Sequence, residues 1–441
     1  MSDARTVSNV ERVMEAAEAA SPVEALEAVA RELGLAFGAV AVSFLITDLS
    51  GRALVRLEHV PVSAERNATP GALVSGERRE DEESATVLPF DGGRHEQAMR
   101  TQTIQVVRPD PEAHGESVGL WAVLAPVTER GESIGLLELH LPHEPTSEVL
   151  VEIGRVAHLL AFVIIANRRH TDLFEWGQRS RAFTLSAEIQ QRLLPDAQTC
   201  EAAAFTLAGW LEPAESVGGD TFDYSVARDS LHLSMTDAMG HGVDAALTAS
   251  VCLGSLRGAR RRGLSLVDQA REANTAVCEH ASGRSHDDFV TGLIGRLDLQ
   301  SGSLEIVNAG HVSPYLLRGD ELTTLDLQVD LPFGMFAESR YAASVVVLEP
   351  GDRLVLVTDG MLERKVTSMD LPSAIRDTRD LHPREVVRAL ADHALKAAGH
   401  ALQDDATLLC LDWHGMHHFP REPVSGAEPS RASLATNEFH D

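Results

Sequence analysis

The stretch Asp237-Ala238-Met239-Gly240-His241-Gly242 decides how the C-terminal half of this chain is interpreted. The alternating run Ser230–Thr236 before it predicts a β-strand, and Val243–Ala249 after it predicts the start of a helix. An acid at a strand end, followed by a glycine-bearing turn, can offer a carboxylate and a backbone carbonyl to a hard cation. Taken alone, the stretch is explained as well by a simple helix cap.

Three further acidic motifs lie far from this stretch in the sequence. They are Ser216–Tyr224 with Asp220, Leu348–Gly360 with Asp359, and Gln403–Leu411 with the pair Asp404 and Asp405. Most of these acids lie at the end of an apolar run, where burial of an uncompensated carboxylate is costly. Each motif alone could be a turn or a solvated strand end. Together, converging carboxylates without Cys or His partners favour a hard divalent ion such as Mg²⁺ or Mn²⁺.

These motifs resemble the metal-dependent protein phosphatases, the PPM family, in their bacterial SpoIIE-type branch. The similarity covers about residues 185–413 in the family's order. It is carried by Val217–Asp223, Asp237–Ala246, Asn308–His311, Leu331–Met335, Pro350–Gly360 with Glu363, and Asp404–Leu409. Thr221 and Phe222 replace the bulkier aromatic residues that are usual, and Ala238 replaces a common valine. None of these departures removes an oxygen ligand.

The resemblance implies a centre of two Mn²⁺ or Mg²⁺ ions. Asp237 would bridge both ions, and the backbone carbonyl of Ala238 would complete the second site. Asp359 and Asp404 would hold the first ion. Asp220 would lie beside the second ion, binding it directly or through water. The ions would lower the pKa of a water molecule and orient it for in-line attack on phosphorus.

Four other residues have less defined roles by the same resemblance. Asp405 is a candidate ligand, although only one of two adjacent acids can readily point into one site. Asp223 would support a ligand or be purely structural. His241 and His311 are candidate general acids, and a structural hydrogen bond explains each equally well. The arginines at 257, 260, 261 and 262 would either dock a phosphoprotein or form a solvated helix face.

The first part of the chain, about residues 8–165, has a different pattern. Helical spacing over 8–33, broken at Ser21-Pro22, precedes a strand over 39–46 and a polar stretch over 61–93 that predicts a mobile loop. A hairpin follows, with strands over 119–127 and 134–139. This order resembles a GAF domain, which often binds a small ligand and sometimes serves only as a scaffold.

The ligand of the GAF-like domain is not specified by the sequence. No cysteine precedes Cys200, which excludes a cysteine-linked chromophore or a cysteine-bound iron–sulfur cluster in this part of the chain. Histidines in loops and hairpins of this part could in principle bind a metal or haem, but we expect them to be solvated: His59, His95, His114, His140 and His143.

A helical connector is predicted over residues 146–195. Thr146 and Ser147 can cap its first helix, and a second helix should end at Pro195. Apolar residues recur at coiled-coil spacing in the first helix, at Ile153, Ala157, Leu160 and Ile164. The connector would therefore form a signalling helix in a homodimer, or it would only cap the two domains of one chain.

Composition limits the environment and partners of the protein. The formal charge of −28 over 441 residues argues against nucleic acid or an anionic membrane as a partner. Four widely spaced cysteines favour a reducing compartment, and the N-terminus lacks a signal-peptide pattern. The most apolar run, 156–166, is too short to span a bilayer. We therefore expect a soluble cytoplasmic protein.

The predicted fold is α+β, with four segments. These are a GAF-like α/β sensor domain (8–165), a helical connector (146–195), a PPM-type β-sandwich flanked by helices (196–413) and a disordered tail (414–441). The predicted function is dephosphorylation of phosphoserine or phosphothreonine on a regulatory protein, which by resemblance is a STAS-type anti-sigma-factor antagonist. Two alternatives are a catalytically inactive phosphoprotein-binding regulator and a small-molecule phosphohydrolase.

Overall fold

The computed structural model describes residues 9–61, 86–109, 119–179, 184–214, 218–282, 288–362, 370–399, 402, 404–415 and 426–428. The chain divides into two compact units. One comprises Met1–Ala182 together with Glu422–Asp441, and the other comprises Phe183–Arg421. The division falls inside the predicted connector, so the two connector helices belong to different units.

The N-terminal unit is a single antiparallel sheet with helices. Its described helices are α1 (Asn9–Ala19), α2 (Ala25–Phe37), α3 (Arg94–Thr101), α4 (Ser147–Asn167) and α5 (Leu173–Gly177). Its described strands are β1 (Ala41–Thr47), β2 (Ala53–Pro61), β3 (Val87–Pro89), β4 (Gln105–Val107), β5 (Trp121–Glu129) and β6 (Glu132–Leu141). The six strands follow the order β3-β2-β1-β6-β5-β4, and all neighbouring pairs are antiparallel.

The predicted helices, first strand pair and last hairpin of this unit are therefore present. The predicted loop over 61–93 lies mostly outside the described residues, and its end contains β3. The strands alternate apolar residues on one face, which packs with α1, α2 and α4 around Phe44 and Leu137. The opposite face packs in part against Ala98 and Met99 of α3.

The seam predicted as a dimerising coiled coil lies inside the N-terminal unit. Its four residues belong to the core and are at most 1% exposed, namely Ile153, Ala157, Leu160 and Ile164. The burial favours the alternative in which the helix caps its own domain, because a spacing of three and four residues also suits a helix that packs on its own sheet. The four apolar residues of the seam are therefore covered by other residues of the same chain.

Helix α4 also corrects the prediction that its apolar run is too short to span a bilayer. The whole helix has 21 residues, and an 18-residue stretch within it has a mean hydropathy of 2.1, which is enough by length and composition to cross a membrane. No other helix in the described ranges passes that test. Because one side of α4 is packed in the core, its apolar character has an explanation within the folded unit.

The C-terminal unit is built from two sheets and two helical layers. Its described helices are α6 (Leu185–Leu193), α7 (Gly242–Arg261), α8 (Leu266–Ala281), α9 (Leu371–Asp377) and α10 (Pro383–Ala397). Its first strands are β7 (Thr199–Glu201), β8 (Phe205–Glu212), β9 (Thr221–Val226), β10 (Ser230–Ala238), β11 (Val290–Asp298) and β12 (Ser303–Ala309). The remaining strands are β13 (Tyr315–Arg318), β14 (Glu321–Thr324), β15 (Val329–Asp330), β16 (Ser344–Val347), β17 (Arg353–Val357) and β18 (Ala406–Trp413).

The two sheets pack face to face, as the sequence predicts. One contains β15-β12-β11-β10-β9 with β16 beside β12, and the other has the order β14-β13-β17-β18-β8-β7. A core between them includes Phe222, Leu233 and Leu356. Separate cores lie under α7 and α8, and under α9 and α10. The predicted α+β class and the flanking helices are confirmed.

The C-terminal tail corrects a second prediction. Residues 426–428 were expected to be disordered, yet Ala427 is 0% exposed and Glu428 is 7% exposed. The backbone N–H of Gly131 donates a hydrogen bond to the carbonyl of Gly426 at 3.3 Å. This short segment therefore packs into the N-terminal unit. The tail residues 416–425 and 429–441 lie outside the described residues.

Candidate active site

Two of the predicted acids lie at neighbouring strand ends of the first sheet. Asp220 immediately precedes β9, and Asp237 is the penultimate residue of β10. These strands are antiparallel, and Thr236 pairs with Thr221. The start of β9 therefore lies beside the end of β10, which brings two residues 17 positions apart to one edge of the sheet.

The second sheet contributes two acids in the same way. Asp359 follows β17 and begins a short 3₁₀ turn, while Asp404 precedes β18. Because β17 and β18 are antiparallel neighbours, with Val357 opposite Leu408, the two acids share one edge. Gly360 is required there, since a Cβ at this position would overlap the backbone carbonyl of Asp405.

Asp220 joins the two edges. Its side chain is 2% exposed, and Oδ2 accepts hydrogen bonds from the hydroxyls of Thr358 and Thr407, each at 2.7 Å. The Thr358 hydroxyl also accepts from the backbone N–H of Thr407 at 2.9 Å. An acid from the first sheet is thus fixed to the ends of two strands in the second sheet.

The electrostatics of these acids show that they form one coupled group. Burial, together with the negative charges of Asp359 and Asp404, raises the pKa of Asp237 to about 7. Burial also raises the pKa of Asp220 well above its usual value, with a contribution from Asp237. The pKa of Asp404 is raised by burial and then by the charge of Asp359. Like charges held this close need a positive partner.

Carboxylates and a backbone carbonyl are the donors that Mg²⁺ and Mn²⁺ prefer, so the chemistry of this set fits such ions. Gly219 packs directly on Ala238, since an added Cβ at Gly219 would lie 2.8 Å from the Ala238 carbonyl oxygen. In the described part of the chain, however, no group of three or more His, Cys, Asp or Glu side chains has the geometry of a preformed metal cage.

Asp405 has a different environment from its neighbour. It is 1% exposed, and its Oδ1 accepts from the backbone N–H of Ala214 at 2.8 Å. Its Oδ2 accepts from the backbone N–H of Gly218 at 3.0 Å and from Gln190 Nε2 at 2.5 Å. Both carboxylate oxygens are therefore occupied by donors of the protein, which disfavours the predicted metal-ligand role.

Asp223 and two of the arginines form a buried ion-pair group. Asp223 is 3% exposed and accepts from Arg257 Nη2 at 2.8 Å and from Arg260 Nη1 at 2.9 Å. The structural role considered for Asp223 is the one observed. The proposed solvated face is correct for Arg261 and Arg262, which are exposed, but not for the other two arginines.

The two candidate histidines differ. His241 occupies the N-cap position of α7 without a side-chain hydrogen bond to the helix and is exposed, and its charge lowers the pKa of Asp404. His311 is 6% exposed, and burial lowers its pKa. Its Nδ1 lies 3.1 Å from the Val312 carbonyl, which can only accept, so Nδ1 carries the hydrogen. The buried Nε2 has no hydrogen-bond partner and is left as an acceptor, which argues against a general-acid role.

The sequence did not assign roles to three residues that complete the site. Thr358 and Thr407 fix Asp220, and Gln190 binds Asp405. The two threonines lie inside the acidic motifs, beside an apolar strand. That position was the only sequence signal that could have indicated their role. Glu363, which belongs to one of the motifs, lies outside the described residues.

Comparison with known proteins agrees with this architecture. Residues 227–414 match the family described as Stage II sporulation protein E (SpoIIE). The phosphoserine phosphatase RsbU of Bacillus subtilis is 24% identical over 274 residues, which cover 58% of this chain and 79% of RsbU. Protein IcfG of Synechocystis is 23% identical over 208 residues, which cover 40% of this chain but only 32% of IcfG.

Similar chains have also been solved. The RsbU and RsbW domains of Rv1364c from Mycobacterium tuberculosis share 25% identity and a TM-score of 0.42, over 49% of this chain and 62% of that one. Two further similar structures, at 16% and 18% identity with TM-scores of 0.40 and 0.37, are in complex with magnesium and with two manganese ions. The C-terminal unit of this chain is thus a protein serine/threonine phosphatase domain that is similar to the SpoIIE family.

Proposed function

We propose that this chain hydrolyses phosphoserine or phosphothreonine on a regulatory protein, using two Mn²⁺ or Mg²⁺ ions. The observation that carries the proposal is the coupled set of Asp220, Asp237, Asp359 and Asp404 at one end of the sandwich. The raised pKa values of three of these acids indicate negative charge that the protein itself does not neutralise. Divalent ions would neutralise it.

The ions, when bound, supply positive charge to the phosphoryl oxygens and make a water molecule a better nucleophile. The chain's own residues provide the frame for this chemistry. Asp237 at the end of β10 interacts electrostatically with Asp359 and Asp404 of the second sheet, so its carboxylate would serve both ions, and the Ala238 carbonyl would complete the second site. Asp359 and Asp404 would hold the first ion. Asp220 has one oxygen fixed by two threonines, which leaves the other for the second ion or its water.

Two of the predicted residues receive revised roles in this proposal. Asp405 is a positioning residue, because its oxygens already accept from Ala214, Gly218 and Gln190. His311 can accept a hydrogen bond from a water at Nε2 but does not deliver a proton while it is neutral. His241, which is exposed beside Asp404, is the better candidate for contact with the leaving group.

The proposed substrate is a phosphorylated regulatory protein of the STAS-type anti-sigma-factor antagonist class. The support is the likeness of the C-terminal unit to RsbU, which is itself a phosphoserine phosphatase. The exposed setting of Asp359 also suits a phosphate presented on another protein.

We further propose that the N-terminal unit is a GAF-like sensor with a small-molecule ligand. One feature supports a polar ligand: Glu138 of β6 is 5% exposed, on the sheet face opposite α4. It lies 3.0 Å from Arg56 Nη2, 3.4 Å from His95 Nε2 and 3.8 Å from His140 Nε2. These three partners hold the pKa of Glu138 below its usual value in spite of burial. A charged group of this kind on a buried sheet face is unusual for a purely structural module.

A cytoplasmic homodimer remains part of the proposal. The buried seam of α4 no longer supports the dimer, but Val151 and Phe162 on the other side of that helix are 56% and 48% exposed. Apolar side chains in these positions can contact a second copy. Sedimentation equilibrium of wild type and of Phe162→Glu tests this point, and a monomeric wild type would contradict it.

The enzymatic proposal is tested by Mn²⁺-dependent release of phosphate from an aryl phosphate. Asp237→Asn and Asp359→Asn should each lower the rate by at least about 100-fold, since even residues behind metal ligands contribute up to that factor. Asp326→Asn is a matched control, because Asp326 is exposed in the same unit. An inactive wild type, or active ligand variants, would contradict the assignment. Competition between phosphopeptides and small phosphate esters then separates a protein phosphatase from a small-molecule phosphohydrolase.

Control by the N-terminal unit is tested by a chain that begins near Arg181. If its rate equals that of the full chain in every condition, the N-terminal unit is a tether and not a regulator. A changed rate supports regulation, and its direction shows whether the sensor activates or inhibits.

A further inference from the structure

Helix α6 inserts one side chain behind the acids of the C-terminal unit. Gln190 is 1% exposed, and its Nε2 donates to two acceptors. One is the Oδ2 of Asp405 at 2.5 Å, and the other is the backbone carbonyl of Asp220 at 3.0 Å. An amide NH₂ has two hydrogens, so both are used. A single nitrogen atom therefore connects the two acidic segments of the site.

The two acceptors, on Asp405 and Asp220, belong to the segments that carry the proposed metal ligands. Asp405 also accepts from Gly218, which lies two residues before Asp220, so the segments are tied to each other as well as to Gln190. The backbone N–H of Asp405 donates to Oδ1 of Asp404 at 2.9 Å. A displacement of the Gln190 amide would therefore reach the backbone of Asp220 through one hydrogen bond and the carboxylate of the proposed ligand Asp404 through two, by way of Asp405.

The far end of α6 is attached as well. The carbonyl of Leu193 accepts from Arg257 Nη2 at 2.7 Å, and Arg257 is in turn held by Asp223. The helix is thus fixed to α7 at one point and to the acidic segments at another. The position of α6 and the spacing of the acidic segments therefore depend on each other.

We propose that Gln190 is a positioning residue for the metal centre, through which helix α6 sets the spacing of the Asp220 and Asp404 segments and hence the affinity for divalent ions. This rests on the proposed metal-dependent activity. The competing explanation is that the amide only satisfies buried acceptors. In that case its loss would lower stability and leave metal affinity unchanged.

The test uses the full chain with Gln190→Met, which keeps the length of the side chain and removes both donors. Gln191→Met is the matched control, since Gln191 is next in the same helix and only partly buried. Mn²⁺ binding is measured directly by calorimetry, and kcat and KM on an aryl phosphate are measured at saturating Mn²⁺. Urea unfolding without metal reports stability separately.

We expect Gln190→Met to weaken Mn²⁺ binding by about tenfold, the lower range for residues that orient metal ligands. The KM for the phosphate ester should be unchanged, and kcat at saturating Mn²⁺ should change by less than about threefold, because the ligands themselves remain. Gln191→Met should match wild type in all three measurements.

Wild-type Mn²⁺ affinity in a destabilised Gln190→Met chain would overturn the positioning role while leaving the phosphatase proposal intact. A wild type that neither binds Mn²⁺ nor releases phosphate would overturn both. If Gln190→Met does not fold, Gln190→Asn replaces it, since this variant keeps the amide but withdraws it by one methylene. Weakened Mn²⁺ binding in the folded Asn variant supports the proposal, and unchanged binding overturns it.

Discussion

The raised pKa of Asp237 leads to an unusual expectation for a site residue: replacing it with asparagine should stabilise the metal-free protein. The carboxyl has a pKa of about 7, against a usual value of 3.8. A shift of this size corresponds to about 4 kcal/mol of unfavourable interaction for the ionised form. Asn has no charge to repel Asp359 and Asp404, but it interrupts the hydrogen bond with Asp220. We therefore expect a net gain of about 2 kcal/mol at about pH 8.

The pH dependence of this gain has a definite sign. Between the usual and the raised pKa, the folded wild type binds a proton that the unfolded chain has released. Metal-free wild type should therefore lose stability as the pH rises from about 4 through about 7, and the loss should level off above that. Asp237→Asn removes this dependence. The difference between variant and wild type should be small near pH 5 and largest near pH 8, which lie about two units below and about one unit above the raised pKa.

Urea unfolding in the presence of a chelator measures both quantities, and thermal unfolding gives an independent value. A gain of about 2 kcal/mol should raise Tm by about 4–8 °C in a unit of this size. About 1 mM Mn²⁺ should then reverse the order, because the ion stabilises the wild type by mass action and binds the variant poorly. Asp326→Asn, in an exposed position, should behave like wild type throughout.

Two results would refute this reasoning. One is a metal-free Asp237→Asn chain that is less stable than wild type at high pH. The other is a difference that does not depend on pH. Either would mean that the acids are not held in repulsion, and that Asp237 contributes to the fold like an ordinary hydrogen-bonded carboxylate.

Three further expectations follow from groups outside the metal ligands. Asp405→Asn should destabilise the metal-free protein by about 1–3 kcal/mol in urea unfolding, because the new NH₂ group would face N–H donors that now bond to a carboxylate oxygen. Stability equal to wild type would contradict the positioning role. His382 is buried beside Glu201, and burial lowers its pKa below the usual 6.5. The folded state therefore binds fewer protons than the unfolded chain, and wild-type stability should fall as the pH drops below about 6.5. His382→Gln should lack that fall, and an identical pH profile would exclude the histidine as its source. Gly426→Ala should destabilise the N-terminal unit by about 1–3 kcal/mol more than Gly38→Ala does, which thermal unfolding measures. Both glycines have a positive φ, but only at Gly426 would an added Cβ contact atoms of Thr128 and His158. Equal losses would mean that the tail segment is not packed there in solution.

Much of the catalytic unit could be predicted from sequence because its acids are tied to strand ends. Asp237 and Asp359 each follow an apolar strand, and antiparallel pairing then determines which acids meet. The pair Asp404 and Asp405 shows the limit of this argument. Adjacent identical residues differ only in the donors that face them, and those donors come from segments about 190 and 215 positions away.

The failures in the N-terminal unit have a related cause. A four-residue seam in α4 satisfies the spacing of a coiled coil and of an amphipathic core helix, and only the arrangement of α1, α2 and the sheet distinguishes them. The burial of Ala427 had no signal at all, since one small residue in a polar tail carries no periodicity. The role of Gln190 also had no signal in the sequence, because a glutamine with a buried amide looks like any other glutamine on a helix.

The return of the chain to the N-terminal unit has a consequence for the order in which the protein is made. Because Gly426 and Ala427 pack against residues near Gly131, the catalytic unit is an insertion within the sequence of the unit that precedes it. During synthesis, the N-terminal unit emerges first but receives its last core residues only after the whole phosphatase has left the ribosome. A chain stopped at Trp413, the last residue of β18, would carry a complete sandwich and an N-terminal unit without these residues. Completion of the first unit thus depends on translation of the entire catalytic unit.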